Sequence, residues 1–210
     1  MAIPKDDSDI TRLVISNGDL PGLVAAMIAS EDTVRRDTVH AGHPVVWAGT
    51  AQGAKAAERQ ASSLGLRTIR RKPGVSAPSG SPDESLRTGE GANRLLMDAA
   101  TAALSLRCPL VVWPVLPAGP ASAEPALVEL IAAAVSRATL VSRLVSLDAP
   151  MVGLPEIRIE TPFVDLTDQQ LADLACDLGV RFEECWWWSI DSSAASEERA
   201  RWGPLLPVSA

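Results

Sequence analysis

The sequence predicts an α/β fold: a three-layer sandwich in which helices cover both faces of a five-stranded, mostly parallel sheet. Two observations support this prediction. Short apolar runs of strand length alternate along the chain with longer segments whose apolar residues recur at helical spacing. The chain has 210 residues, of which 47% are hydrophobic, so it is long enough to bury a core on both faces of such a sheet.

The first strand, turn and helix indicate where to look for function. The apolar run 13–15 ends abruptly in the turn Ser16-Asn17-Gly18-Asp19, and a helix rich in alanine and leucine follows from Leu20. Asp19 is a good N-cap, and Pro21 suits the first helical turn. Such a turn directs free backbone N–H groups and the positive end of the helix dipole at one point. The sequence therefore predicts an anion site here.

The other elements follow in order. Further strands are predicted at 44–48, 66–70, 110–115 and 157–159. Further helices are predicted at 52–64, 92–106, 124–147 (one helix or two) and 167–178. Gly65 and Gly179 end two of these helices, and Thr167 caps the last one.

Three turns should meet at the carboxyl edge of the sheet, where parallel α/β folds bind their ligands. They are the turn 16–19, the turn at Gly49-Thr50 and the turn after Val115. The segment 73–91 is rich in proline, glycine, serine and charge and is predicted to be a loop. The predicted division of the chain is a flexible tail at 1–11, an α/β domain at 12–180 and a Trp-rich C-terminal segment at 181–210.

Composition and charge argue against several classes of protein. Nineteen basic and 26 acidic residues give a net charge of −7, whereas nucleic-acid-binding proteins normally carry a basic surface. The one basic cluster, 67–72, is interpreted as solvated charge at a strand edge. With no signal peptide and no apolar run of membrane-spanning length, neither nucleic acid nor a membrane is expected as a partner. Three scattered cysteines fit the reducing cytoplasm better than a disulfide framework.

The remaining candidates for chemistry are few. His40 and His43 could ligate a metal, but no cysteine or carboxylate cluster stands near them in sequence, so a loop is the preferred interpretation. No Gly-x-Ser-x-Gly motif accompanies them, which argues against a serine hydrolase. Cys108 and Cys176 fall on apolar faces and are predicted to be small core residues.

Three stretches together resemble the PP-loop ATP pyrophosphatases, and among these most of all the 7-cyano-7-deazaguanine synthases of queuosine biosynthesis. They are the Ser-x-Gly turn after the first strand, GEGANRLL at 89–96 and IETPFVDLTDQQLADLACDLGVRFEECWWW at 159–188. The resemblance implies a Rossmann-like, adenine nucleotide alpha hydrolase-like fold. It also implies a carbon–nitrogen ligase that activates a carboxylate with ATP, releases pyrophosphate and transfers nitrogen to the acyl-adenylate.

The phosphate loop of that family reads Ser-Gly-Gly-x-Asp-Ser, and this chain departs from it. Ser16 and Gly18 match, whereas Asn17, Leu20 and Pro21 replace the second, fifth and sixth residues. A side chain at the second position crowds the approach of phosphate to the backbone, and the Asp19 carboxylate would repel pyrophosphate. If ATP or AMP still binds, the resemblance and the sheet edge together predict the contacting residues as Ser16, Asn17, Gly18, Asp19, Gly49, Gly91 and Asn93.

Two further motifs of the family are altered. Its Pro-Gly-Arg-Asn motif corresponds to 90–93, where Gly91 and Asn93 match but Ala92 replaces the arginine. For Asn93, capping of the following helix is the preferred interpretation. Its four-cysteine zinc site follows a Trp-x-Cys-Tyr segment, in which Trp186 matches but Trp188 replaces the first ligand. Since structural zinc sites need four ligands, no zinc is expected.

The run Trp186-Trp187-Trp188 cannot point inward at all three positions, and clustered tryptophans make strong interfaces. We therefore predict a homodimer through this run. The sequence as a whole favours a divergent PP-loop-like protein that lacks the ligase activity and binds a small anion, a nucleotide or a protein partner. The alternative is an active ATP-dependent ligase or amidotransferase with an atypical phosphate loop.

Overall fold

A computed structural model of the chain describes residues 10–35, 44–48, 53–70, 89–117 and 124–207. The strands are β1 (Arg12–Ser16), β2 (Pro44–Ala48), β3 (Arg67–Arg70), β4 (Leu110–Val112) and β5 (Arg158–Glu160). The helices in these ranges are α1 (Leu20–Arg35), α2 (Ala54–Ser63), α3 (Gly89–Ser105), α4 (Glu124–Ser146), α5 (Asp168–Asp177) and α6 (Ser193–Trp202). All five strands are parallel and lie in the order β3-β2-β1-β4-β5. The predicted fold class, a Rossmann-like three-layer α/β sandwich, is confirmed.

Alternate residues of the inner strands point into two separate cores. Val14, Val46 and Val112 pack with α1, α2, α5 and the C-terminal segment on one face of the sheet. Their neighbours Leu13 and Val111 pack with α3 and α4 on the other face. Because inner strands of a parallel sheet are covered on both faces, they carry the unbroken apolar runs from which they were predicted.

Local signals place the helix ends as predicted. The Asp19 carboxylate accepts the Gly22 N–H at 3.0 Å and so caps α1. At α5, the Thr167 hydroxyl accepts the Gln170 N–H at 3.2 Å, and the Gln170 side chain accepts the Thr167 N–H at 2.9 Å, which together form a capping box. Gly65, just beyond α2, has a φ of +68°, a conformation that favours glycine at this position.

Two predictions about helix α3 and strand β4 are corrected. Asn93 does not cap α3, because the helix begins at Gly89 and Asn93 lies exposed within it. Burial of Ala92 and Leu95 against the sheet outweighs the low helix propensity of the two glycines, about 1 kcal/mol each. Strand β4 ends at Val112 rather than at 115, since Pro114 has no N–H to donate to a ladder.

Cys176 is not a core residue as predicted. It is exposed on α5, whose core side is formed by Leu171 and Ala175. Cys176 follows Ala175 directly, and successive residues of a helix are rotated by about 100° about its axis. The Cys176 side chain therefore points away from the core face of α5. Cys108, by contrast, is buried as predicted. The predictions at 1–9, at His40 and His43, at Gly49-Thr50 and at 73–88 lie outside the described residues.

The C-terminal segment belongs to the first core. Phe182, Cys185, Trp187 and Trp202 are buried together with the residues of α1 and α5. The Arg199 guanidinium donates to the carbonyls of Trp187 at 2.9 Å and of Ile190 at 2.7 Å, which joins α6 to the aromatic run. None of the described helices has the length and apolar character needed to cross a membrane.

Candidate functional site

The turn after β1 lies at the carboxyl edge of the sheet, beside the switch point. Strand β1 is hydrogen-bonded to β2 on one side and to β4 on the other. The chain adds β2 and β3 on one side of β1 and then β4 and β5 on the other, so the switch point lies between β1 and β4. Parallel α/β sheets bind ligands in the crevice at this point. The turn from Ser16 to Asp19 is therefore the first candidate for a functional site.

Hydrogen bonds of the turn to itself hold its shape. The Gly18 N–H donates to Ser16 Oγ at 3.0 Å, and Ser16 is only 1% exposed. Gly18 has a φ of +72°, which an L side chain rarely adopts. One step further, the Gly22 N–H is bonded to the Asp19 carboxylate, so the turn carries its own negative charge at the start of α1.

Gln60 of α2 is the central polar residue beneath the turn. Its Nε2 donates to the Gly18 carbonyl at 3.1 Å and to the Glu184 carbonyl at 3.4 Å, and its Oε1 accepts from Ser16 Oγ at 3.3 Å. The Gly18 carbonyl also accepts the Trp186 N–H at 2.8 Å. Gln60 is 1% exposed, so these bonds form in a buried setting. One side chain thus joins the turn to the C-terminal segment.

The start of α2 packs directly against the backbone of the turn. A Cβ on Gly53 would lie 1.6 Å from the Asn17 carbonyl oxygen, and one on Gly18 would lie 2.6 Å from Ala56 Cβ. Only glycine fits at either position without moving a helix. The space on this side of the turn is therefore filled by the chain itself.

A charged pair lies beside the turn. Arg201 of α6 donates to both carboxylate oxygens of Asp168, at 2.8 and 2.6 Å, and both side chains are largely buried. Burial alone would lower the pKa of Arg201. The hydrogen bonds with Asp168 and the nearby charges of Glu198 and Asp19 outweigh burial, so that pKa is raised and the guanidinium stays charged. The Arg201 charge, which interacts with Asp19, is therefore also paired with Asp168.

The predicted site residues are only partly brought together. Ser16, Asn17, Gly18 and Asp19 form the turn, and the Asn17 Oδ1 is buried without a hydrogen-bond partner in the described part of the chain. Gly91 and Asn93 lie in α3, on the other face of the sheet from α2, and no hydrogen bond among the described residues joins them to the turn. Gly49 lies outside the described residues.

Candidate metal ligands do not cluster in the ranges that the structure describes: no group of three or more His, Cys, Asp or Glu side chains is close enough to hold an ion. Among the tryptophans of the aromatic run, Trp187 is fully buried, Trp186 is partly buried and Trp188 is 40% exposed. The homodimer through Trp186, Trp187 and Trp188 stays a prediction.

No protein-family model matches this chain, and no curated protein matches its sequence. The resemblance to the PP-loop proteins therefore stays a prediction.

Sequence reasoning missed Gln60, Gly53 and the Trp186 N–H. The signal for Gln60 was present, since it lies on the same helical face as Ala56, Ala57 and Ala61, all of which are buried. A long polar side chain on a buried face requires hydrogen-bond partners. Nothing in the local sequence indicates that those partners lie in the first turn and in the C-terminal segment.

The cysteines differ in burial. Burial raises the pKa of the Cys108 thiol to about 11. Burial, with the Asp19 and Glu184 charges beside it, raises the pKa of Cys185 well above its usual value. Cys176 is exposed. Because the thiolate is the reactive form, we expect a thiol reagent to modify one cysteine in the folded protein and all three after unfolding.

The same thiols predict a loss of stability at high pH. Above the unfolded-state pKa, near 9, the unfolded chain releases the Cys108 proton while the folded chain retains it up to about pH 11. The free energy of unfolding should therefore fall by about 1.4 kcal/mol per pH unit for each such thiol. Denaturant melts between these pH values will measure the slope, and Cys108→Ala should reduce it. The chain has no tyrosine, so no phenol titrates in this range.

Proposed function

We propose that this protein has the fold of a PP-loop ATP pyrophosphatase without the ATP-dependent ligase activity, and that it acts by binding a small anion, a nucleotide or a protein partner. One observation carries the first part: the groups that would hold pyrophosphate are already used within the chain. The Ser16 hydroxyl and the Gly18 N–H, two donors of the turn, both have internal partners.

The balance of charge at the turn supports the same proposal. The start of a helix attracts an anion by about 0.3–2 kcal/mol. A unit charge of ligand 4 Å from the Asp19 carboxylate would be repelled by about 4 kcal/mol at an effective dielectric constant of 20. Repulsion by Asp19 therefore exceeds the attraction of the helix start, and Arg201, whose charge interacts with Asp19, is also paired with Asp168. Pyrophosphate is a poor ligand for this turn.

An active ATP-dependent ligase is the second candidate, and one feature favours it. Asn17 Oδ1 is buried in the turn without a partner among the described residues, so it is available to accept a hydrogen bond from a ligand. Ser16 and Gly18 also match the family's loop. A nucleotide that used this acceptor would have to keep its phosphates away from Asp19.

Calorimetric titration with ATP and magnesium, with AMP in parallel, separates the two candidates. We expect no heat of binding from ATP with magnesium, which corresponds to a Kd weaker than about 1 mM. Heat from AMP alone would identify the bound partner as a nucleotide whose β- and γ-phosphates the turn does not accept. A micromolar Kd for ATP, worth about −8 kcal/mol, would contradict the proposal. In that case Ser16→Ala should weaken ATP binding and leave AMP binding largely unchanged if the turn holds the phosphates.

A further inference from the structure

Helix α4 carries an apolar face that points away from the sheet. Its inner side is buried against the sheet and α3 through Ala134, Ala138, Val141 and Val145. Its outer side exposes large apolar side chains along the helix and just beyond it, namely Val128, Leu130, Val135, Leu140, Leu144, Leu147 and Met151. The exposed fraction is 65% for Leu140 and 74% for Leu147. Leu140, Leu144 and Leu147 are spaced four and three residues apart and form one apolar strip, and exposed apolar patches on a folded protein mark interaction sites.

The middle of this face carries small side chains. Ala132, Ser136 and Leu140 are spaced four residues apart and are all exposed, so they follow one line along the helix. Small side chains at Ala132 and Ser136 allow another helix to approach closely, and the larger leucine beyond them fills the space at one side. Such a line of small and large residues is typical of a helix surface that packs against another helix.

Two exposed charges along the same line of α4 indicate that the partner is a second copy of this helix. Glu129 and Arg143 lie seven residues before and after Ser136, and both are exposed. Within the described part of the chain neither has an ion-pair partner. Fourteen residues of helix separate them by about 21 Å, so they cannot pair with each other in one molecule. A second α4, running antiparallel and crossing at Ser136, would bring Glu129 of each copy to Arg143 of the other.

The apolar residues agree with the same crossing. Val128 and Leu144 lie eight residues on either side of Ser136, and Ala132 and Leu140 lie four residues on either side. At about 100° per residue, Leu140 and Leu144 lie to one side of Ser136 and Ala132 and Val128 lie to the other. In the antiparallel pair the leucines of both copies therefore line one side of the contact, and the small Ala132 of both copies lies on the other. A two-fold interface requires that residue i contacts j and j contacts i, as Glu129 and Arg143 do in this arrangement.

We propose that two copies of this chain associate through the outer face of α4, antiparallel and two-fold symmetric about Ser136. Helix α4 is 23 residues, or about 34 Å, long. The two Glu129–Arg143 pairs lie toward the ends of the contact, where they set its direction.

This interface differs from the one predicted through the tryptophan run. Trp186 and Trp187 pack in the core on the α1 side of the sheet, whereas α4 lies on the opposite side. Variants of α4 and a variant of Trp188 therefore test the two interfaces separately.

The first test is sedimentation of the full chain at micromolar concentration and near-physiological salt. We expect a mass of twice 22.1 kDa. Glu129→Arg alone and Arg143→Glu alone should each weaken the dimer about tenfold to a hundredfold, because each replaces two attractive pairs by two repulsive ones. The double variant Glu129→Arg with Arg143→Glu restores opposite charges across the interface and should restore the dimer.

A second set of variants addresses the apolar contact. Leu140→Glu with Leu144→Glu changes exposed positions, so the chain should stay folded by circular dichroism and become monomeric; Trp188→Ala should leave the dimer intact. A monomeric wild type would overturn the proposal, as would a dimer that the α4 variants leave unchanged. Dissociation by Trp188→Ala alone would assign the interface to the tryptophan run. Failure of the double charge swap to restore the dimer would overturn the antiparallel pairing.

Discussion

Replacing Trp202 by alanine is expected to lower the free energy of unfolding by about 3–5 kcal/mol. Trp202 is fully buried in the core on the α1 side, and its indole N–H donates to the Glu198 carboxylate at 2.7 Å. The Arg201 guanidinium lies 4.7 Å from its ring centroid. The substitution leaves a cavity the size of an indole and removes both of these contacts.

Thermal unfolding followed by circular dichroism measures the effect, which should lower Tm by roughly 10 °C. Trp188→Ala is the matched control, because it removes the same side chain from a position that is 40% exposed. We expect the control to cost no more than about 1.5 kcal/mol. Equal losses for the two variants would mean that the C-terminal segment is not packed in the core as described.

The Trp202 result bears on function because the C-terminal segment is also hydrogen-bonded to the turn after β1 and to Gln60 beneath it. Trp186 donates to the Gly18 carbonyl, and Glu184 receives a bond from Gln60. If burial of Trp202 stabilises the fold as strongly as expected, the segment cannot move away from the turn without unfolding much of the core. A closed turn agrees with a protein that does not bind ATP phosphates there.

Most of the fold follows from local signals in the sequence. The apolar run of β2, the Thr167–Gln170 capping box and the glycine after α2 each act over a few residues, and the structure agrees with them. The misplaced start of α3 has a different cause. Tertiary packing of Ala92 and Leu95 extends the helix back through two glycines, and local propensity does not report such packing.

The turn itself was predictable, and its surroundings were not. Ser16, Gly18 and Asp19 were recognised from a strand that ends in a glycine-containing turn. Gln60 contacts Gly18, which is 42 positions away in the chain, and Glu184, which is 124 positions away. Such contacts depend on how α2 and the C-terminal segment pack, which a single sequence does not specify. The departures from the PP-loop motif indicated a loss of ATP chemistry, but not that the chain fills the space beside the turn.

Replacing Gln60 by leucine should lower the free energy of unfolding by about 2–4 kcal/mol. Leucine is similar in volume, so packing is largely kept and the loss comes from hydrogen bonds. The Glu184 carbonyl loses its Gln60 donor, and the Ser16 hydroxyl loses the acceptor for its proton. The Gly18 carbonyl retains the Trp186 N–H as its only remaining donor among the contacts described. Buried groups that lose a partner in this way cost about 1–3 kcal/mol each.

Two measurements separate this effect from ordinary destabilisation. Denaturant unfolding gives the total loss, and amide hydrogen exchange at Trp186 reports the bond to Gly18, which should open more often in the variant. Gln169→Leu is the matched control: it alters an exposed glutamine of α5 that bonds only to Asp173 in the contacts described, and it should change stability by less than about 0.5 kcal/mol. If Gln60→Leu were as mild as the control, Gln60 would not hold the turn closed. The filled turn would then no longer support the proposal that ATP does not bind, and the Asp19 carboxylate would be the remaining argument for it.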